Sequence, residues 1–316
     1  MALRAEKVTV VGSGLIGQAW AVVFARAGFA VALYDAVDGV AAKAVGSVRD
    51  RLRELAGAGL IETDELDRIE ARVTAEASLE AALAETAYVQ ENGPENLEVK
   101  GRLTAEIDHL APLGVPVGSS TSGIPASLYS AEVAGRRRCL VVHPINPPHL
   151  IPAVEIVPAP WTDPAVTDRA TEIMQQAGQS TIRLEREIEG FVVNRLQGAL
   201  LEEAFRLLAA GIAAPRDIDN AVSDGLGLRW ALMGPFETIH LNAPEGVAQY
   251  VERYGPMYHA LFGQGQDPEA WPRAVAAGLE DALCEKHPKE AIAAAQDGRD
   301  RRLMALLKHR RESDGA

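Results

Sequence analysis

A histidine, a glutamate and a run of hydroxyl side chains are spaced so that together they could take a proton from an alcohol. His143 opens the segment His143-Pro144-Ile145-Asn146-Pro147-Pro148, directly after the apolar run Cys139–Val142. Glu155 stands inside Ala153-Val154-Glu155-Ile156-Val157. A carboxylate among Ala, Val and Ile is costly to bury unless something pairs with it. His143, twelve residues earlier at a neighbouring strand end, is the economical partner. Such a pair fixes the imidazole tautomer and raises its basicity, as a general base requires. A third segment, Ser119-Ser120-Thr121-Ser122-Gly123, follows another strand-like run and offers donors to a reacting oxygen. Each signal has a plain alternative: a hydrogen-bonded structural histidine, a glutamate facing water at a sheet edge, an ordinary serine-rich turn.

The start of the chain says what such a base would serve. Val8-Thr9-Val10-Val11 is a short β-branched run, and Gly12-Ser13-Gly14-Leu15-Ile16-Gly17 follows it. The pattern is a strand, a G-x-G-x-x-G turn and the start of a helix. Gly12 permits the tight turn, Gly14 lets a pyrophosphate approach the backbone, and Gly17 lets helix and strand pack closely. The helix N-terminus then presents free N–H groups to the phosphates. Asp35 ends the next apolar run, Ala30–Tyr34. A carboxylate there suits the two hydroxyls of an adenosine ribose and repels a 2′-phosphate, so NAD is expected rather than NADP. A structural turn in an α/β domain is the alternative.

These residues need a frame. Strand-like segments are expected at Lys7–Val11, Ala30–Tyr34, Ala87–Gln90, Pro116–Ser119, Cys139–Val142, Val154–Val157 and Thr181–Leu184. Helical patterns lie between most of them, as at Leu97–Leu110 and Asp163–Ala177, and this alternation predicts a parallel sheet covered on both faces. The stretch Ala41–Ala75 exceeds an ordinary crossover and reads as a helical hairpin broken at Gly57-Ala58-Gly59. After Glu189-Gly190 strand signals vanish. Phe191–Ala210 is an apolar-periodic helix, and Pro215, Pro235, Pro244 and Pro256 punctuate further helices. The expected fold class is α/β: a Rossmann-type doubly wound domain over residues 1–187, then an all-helical domain over 188–316.

The chain has 316 residues, 47% of them hydrophobic, and a formal net charge of −13. That charge disfavours nucleic acid, and an anionic substrate must be met by a few placed arginines. No apolar run reaches membrane-spanning length, and no signal peptide is expected ahead of the first strand. Cys139 and Cys284 lie far apart, without metal-type spacing, so a reducing cytoplasm and no metal are expected. The basic tail, Arg301-Arg302 and Lys308-His309-Arg310-Arg311, reads as the solvated end of a last helix.

The ordered segments resemble the 3-hydroxyacyl-CoA dehydrogenase superfamily, and most closely its lambda-crystallin/L-gulonate 3-dehydrogenase branch. The resemblance rests on Val10-Val11-Gly12-Ser13-Gly14-Leu15-Ile16-Gly17, Pro94-Glu95-Asn96-Leu97, Ser119-Ser120-Thr121-Ser122, His143-Pro144-Ile145-Asn146-Pro147-Pro148, Val154-Glu155, Gly190-Phe191-Val192-Val193-Asn194-Arg195-Leu196 and Met233-Gly234-Pro235-Phe236-Glu237. It implies that His143 is the base and Glu155 its partner, with Ser122 and Asn194 on the reacting oxygen. It also implies that Glu95 and Lys100 sit near the nicotinamide end of NAD, with Asn146 near the histidine. A homodimer formed mainly by residues after 187 is a further implication.

Two departures from the acyl-CoA members bear on the substrate. Lys43 is the only lysine between Lys7 and Lys100, where those members resemble one another in carrying a lysine-rich hairpin. Arginines 51, 53, 68 and 72 could compensate in part. The segment Gly227-Leu228-Arg229-Trp230-Ala231-Leu232 matches the gulonate branch, and Arg229 could clamp a free carboxylate. Alternatively Arg229 is an exposed loop residue or pairs with Asp224. The expectation is therefore an NAD-dependent dehydrogenase of a small free 3-hydroxy acid, L-gulonate being the best named substrate. The alternatives are a 3-hydroxyacyl-CoA dehydrogenase, a carnitine-type dehydrogenase with Trp230, Tyr254 and Tyr258 as aromatic contacts for the ammonium, and a non-catalytic NAD-binding crystallin.

Overall fold

The computed structural model describes residues 6–262 continuously, and from 280 to 312 a subset of positions. Eight strands form one sheet: β1 Lys7–Val11, β2 Ala30–Tyr34, β3 Val73–Ala75, β4 Thr86–Glu91, β5 Val117–Ser119, β6 Cys139–Pro144, β7 Ala153–Pro158 and β8 Ser180–Arg183. Helices α1 Leu15–Arg26, α2 Val40–Gly57, α3 Leu66–Glu70, α4 Leu79–Leu83, α5 Leu97–Leu110, α6 Ala126–Ser130 and α7 Pro164–Gln176 lie between them. They are followed by α8 Val193–Ala209, α9 Pro215–Asn220, α10 Gly227–Trp230, α11 Pro235–Leu241 and α12 Val247–Phe262. A π-helical segment, Ala221–Leu226, joins α9 to α10.

The strand order is β3-β2-β1-β4-β5-β6-β7-β8. The order reverses between β1 and β4, and the crevice outside the carboxyl ends of those strands is where such sheets bind ligands. Val8, Val10, Leu33, Leu140 and Ile156 pack with Trp20, Phe24, Val48, Leu52 and Ile173 in one buried cluster. Val89, Val117 and Cys139 pack with Leu79, Leu83 and Ile107 in another. At about 25 cal/mol per Å² of apolar surface, these two layers supply the main stabilisation of the sheet.

Two expectations are corrected. The sheet is not wholly parallel, because β7 runs antiparallel to β6. Residues 145–152 alone connect them, and a parallel crossover needs about a dozen residues or more. The segment after β2 is also not a full helical hairpin. It breaks at Gly57–Gly59 as expected, but only the short α3 follows, and Val73–Ala75 becomes an edge strand parallel to β2. β-branched Val73 and Thr74 suit that role, and Arg72 O and Glu76 N satisfy the backbone of Val31 and Leu33.

The chain divides into two compact units, Met1–Leu200 and Leu201–Ala316. The division falls inside α8, whose first turn is hydrogen-bonded to β7. In the second unit every element among the described residues is helical. Met233, Leu241 and Ile292 form its buried core with Leu232 and Ala295. Gly234 and Pro235 start α11, and Glu237 in its first turn accepts hydrogen bonds from Lys286 and His287, both at 2.8 Å. Arg302 donates to Leu232 O; the rest of the basic tail apart from His309 lies outside the described residues.

The turn after β1 makes one substitution decisive. A Cβ on Gly17 would lie 1.9 Å from the carbonyl oxygen of Gly12. Two backbone segments would have to separate, so Gly17→Ala is expected to lower both Tm and NAD affinity, the latter by more than tenfold. Calorimetry and NAD titration check this, and unchanged affinity would refute the close-packing role.

Candidate functional site

The antiparallel register of β6 and β7 sets His143 directly opposite Glu155. His143 Nδ1 lies 2.7 Å from Glu155 Oε2. An ionised carboxylate only accepts, so Nδ1 carries a proton and Nε2 is the nitrogen that holds the free lone pair in the neutral ring. The other carboxylate oxygen, Oε1, accepts from the backbone N–H of Val192 at 2.7 Å and of Val193 at 3.0 Å. These N–H groups are at the start of α8, where the partial positive charge favours an anion. Glu155 is 0% exposed. Burial pushes its carboxyl up, yet the hydrogen bonds from His143, Val193 and Val192 outweigh this and hold it below the ordinary glutamate value.

A left-handed turn aims those amides. Gly190 has φ +74° and Phe191 φ +50°. Glycine adopts this conformation freely; a bulky residue does so at a cost and is held by its surroundings. Phe191 is fully buried, and its ring lies 5.6 Å from that of His143. One turn thus fixes both the apolar wall of the imidazole and the donors to its carboxylate.

A cavity of about 430 Å³ opens beside the histidine. Its lining brings together Ile16, Glu95, Ser122, His143, Asn146 and Asn194, all singled out from the sequence, and adds Asn92, Gly93, Ser120, Ile145 and Gln197. Asn194 Nδ2 donates to the carbonyl of Ser122 at 2.7 Å, tying the start of α8 to the loop after β5. Glu95 Oε1 accepts from Thr121 Oγ1 at 2.6 Å, from the backbone of Ser122 and Gly123, and from Ser122 Oγ at 3.3 Å. The hydroxyl of Ser122 and the second amide hydrogen of Asn194 are therefore carried on a braced frame. With an alcohol in the cavity, this set offers one base and two polar groups for its oxygen.

Lys100 does not itself line the cavity but lies beneath it, its ammonium 3.8 Å from the lining Glu95. It is 1% exposed, beneath the loop after β4. Its ammonium contacts both oxygens of buried Glu91, at 3.3 and 3.1 Å, and the carbonyl of Gly93 at 3.3 Å. Glu91 also accepts from Gly93 N and Ser119 Oγ. The pair shapes the cavity wall from below. A second buried network runs from Tyr88 through Gln90 to Ser120, whose hydroxyl also accepts from Trp20 and donates to Asn92. Sequence reading passed over Glu91 and Gln90, although polar residues ending the apolar strand Ala87–Gln90 carry the same signal as Glu155.

The glycine turn fits NAD. Gly12 has φ +91° and is closed in by the backbone of Asn92, whereas nothing lies within 4 Å of a Cβ built on Gly14. The start of α1, at Leu15 and Ile16, has neither a side-chain cap nor an acidic residue in its first turn. Asp35 accepts from Ser13 N at 2.8 Å and from Val37 N at 3.0 Å, so it braces the turn while standing at the tip of β2. Arg229 is in the second unit, partly buried in α10. There burial pushes the Tyr250 phenol up to about 12, helped by Tyr258 and Tyr254, while the Arg229 charge acts in the opposite direction.

The lowered Glu155 carboxyl has a consequence for stability. Its contribution is fully present above the ordinary glutamate value of about 4.5 and is lost as pH falls through the lower native value. Denaturant midpoints for the wild type should fall more steeply below that pH than those of Glu155→Gln. Glu237, also held low, titrates alike in both proteins. Parallel curves would contradict the pairing.

Comparison with known proteins bears on the same segments. Residues 7–188 match the family model "3-hydroxyacyl-CoA dehydrogenase, NAD binding domain", and residues 190–280 match "3-hydroxyacyl-CoA dehydrogenase, C-terminal domain". The chain is 44% identical over 312 residues to a lambda-crystallin homolog of Bos taurus, covering 96% of this chain and 95% of that protein. It is 37% identical over 307 residues to an L-carnitine dehydrogenase of Streptomyces griseus, covering 96% and 89%. The crystal structure of FadB2 of M. tuberculosis superposes with a TM-score of 0.66 at 29% identity, covering 80% of this chain and 89% of that one. The chain belongs to the 3-hydroxyacyl-CoA dehydrogenase family, with NAD as its cofactor, and is an NAD-dependent oxidoreductase.

Proposed function

We propose that the protein oxidises the 3-hydroxyl of a small free hydroxy acid, with L-gulonate going to 3-dehydro-L-gulonate as the named reaction. The observation that carries the reading is the His143–Glu155 pair opening onto a cavity that also holds Ser122 and Asn194. His143 Nε2 takes the hydroxyl proton, and the Glu155 carboxylate stabilises the imidazolium that forms. Ser122 and Asn194 hold the oxygen as it becomes a carbonyl. NAD, when bound, supplies the acceptor for the hydride leaving the same carbon. Arg229 anchors the substrate carboxylate, setting the reacting carbon in place.

A free acid is favoured over a CoA ester by the state of the arginines that could meet CoA phosphates. Arg53 bridges Asp50 and Glu70, Arg68 pairs with Glu65, and Arg72 donates to Ala25 O. Three of the four are thus committed within the protein. The carnitine reading is disfavoured in the second unit. Tyr254 already has the Arg253 guanidinium over its ring at 5.2 Å, and Arg229 lies close enough to Tyr250 to act on its phenol. A quaternary ammonium would meet like charge there rather than a vacant aromatic face.

The assembly that goes with this reading is a homodimer. The support is α8, which exposes Leu196, Leu200, Leu201, Phe205 and Leu208 along its length. Bare apolar area of this kind marks an association surface, and two-fold dimers are the commonest closed assembly. Light scattering at micromolar concentration should give twice the chain mass; a monomer mass would remove the proposal.

The substrate reading is tested with two variants and two substrates. His143→Gln should keep NAD binding and lose about 10²–10⁴-fold in turnover, the usual contribution of a positioned base. Arg229→Met should cost roughly tenfold to a hundredfold in kcat/KM on L-gulonate, the scale of a charge-assisted hydrogen bond. The same change should matter little on 3-hydroxybutyryl-CoA, which has a thioester instead of a carboxylate. Wild-type preference for the CoA ester, or an Arg229→Met enzyme unimpaired on L-gulonate, would overturn the free-acid reading.

A further inference from the structure

Most polar groups lining the cavity beside His143 are already committed to other parts of the protein. Asn92 donates to the carbonyls of Val11 and Gln90 and accepts from Ser120. Ser120 is shared among Trp20, Gln90 and Asn92. Glu95 is held by the loop 121–123. Two side chains stand apart: Asn146, in the loop after β6 beside His143, and Gln197 on α8. Gln197 is exposed, lines the same cavity, and its carboxamide has no hydrogen-bond partner among the described residues. It is three residues after Asn194 on α8. Residues at this spacing share a helix face, and Gln197 is about 4.5 Å further along the axis.

The chemistry of the lining narrows what Gln197 can read. No lysine or arginine is among the lining residues, and the charge of Glu95 is negative. A carboxylate or phosphate gains nothing at this place. A carboxamide offers two donors and one acceptor without charge, which matches a hydroxyl, itself both donor and acceptor. An unsubstituted acyl chain would leave the amide in water and gain nothing from it.

We infer that Gln197 is a specificity-determining residue that hydrogen-bonds a substrate hydroxyl neighbouring the one that reacts. The ligand class is therefore a polyhydroxylated 3-hydroxy acid, not a simple 3-hydroxyalkanoate. This inference rests on the free-acid reading above and sharpens it. Asn194 serves the reacting oxygen, and the next turn of α8 reads the hydroxylation of the adjoining carbon chain. One helix thereby couples the chemical step to the choice of substrate.

The test compares L-gulonate with 3-hydroxybutyrate, which keeps the carboxylate and the 3-hydroxyl but lacks the others. Gln197→Leu removes the hydrogen bond at similar size and at an exposed position, so Tm and the NAD dissociation constant should not move. The wild type should prefer L-gulonate in kcat/KM. The variant should lose about three- to tenfold on L-gulonate, the net effect of one neutral hydrogen bond, and nothing on 3-hydroxybutyrate. Gln197→Asn, which keeps a shorter amide, should lose less. A wild type that prefers L-gulonate and a variant that keeps the same preference would overturn the role of Gln197 alone. A wild type that ignores L-gulonate and turns over the CoA ester would overturn the free-acid reading and this inference together.

Discussion

A buried carboxylate with three hydrogen bonds organises the catalytic end of this protein. Glu155 has no exposed surface and cannot exchange its partners for water, so each partner is fixed in place by the need to satisfy it. One partner is His143 across the β6–β7 ladder; the others are the first amides of α8. The same residue therefore sets the imidazole tautomer, the position of the helix that carries Asn194 and Gln197, and the attachment of that helix to the sheet. Removing the negative charge would not merely weaken a base. It would leave two helix-terminal N–H groups with a poorer acceptor in a place closed to solvent.

The antiparallel placement of β7 follows from the same demand. In a ladder with this orientation, directly opposed residues bring their side chains within a few ångströms. A short return after β6 brings Glu155 back opposite His143, which a parallel crossover with its own helix would not ensure. The departure from a wholly parallel sheet is thus the local feature that builds the pair. Its cost is small, since β8 then runs parallel to β7 and the outer ladder continues.

Much of this was legible in the residues. A glutamate among β-branched neighbours called for a partner, and the economical one at a neighbouring strand end was His143. The glycine turn and Asp35 announced their geometry through spacing, and Leu97–Leu110 appeared with the bounds that Asn96 imposes as an N-cap. What escaped was set by contacts across the chain. Lys100 looks like any helix lysine in sequence; only the fold shows it bonded to Glu91 beneath a loop. Val73–Ala75 is too short to show a period, and its strand character comes from the open edge of β2. Gln197 sits in an apolar-periodic helix, where period alone does not tell a surface amide from one that faces a cavity.

The contrast between Glu91 and Glu155 shows how one physical problem receives two solutions. Both are carboxylates in buried strands, and both accept from backbone N–H groups and from one ionisable side chain. Glu91 is matched by a lysine, whose ammonium offers donors and no acceptor, so the pair is locked and can only support. Glu155 is matched by a histidine, whose second nitrogen remains able to gain and lose a proton while the first stays bonded. A permanent cation at position 143 would satisfy the carboxylate equally well, but it would have no lone pair to offer an alcohol. The site is therefore distinguished from its structural counterpart not by burial or by the carboxylate, which are shared, but by a partner whose protonation can change without breaking the hydrogen bond that positions it.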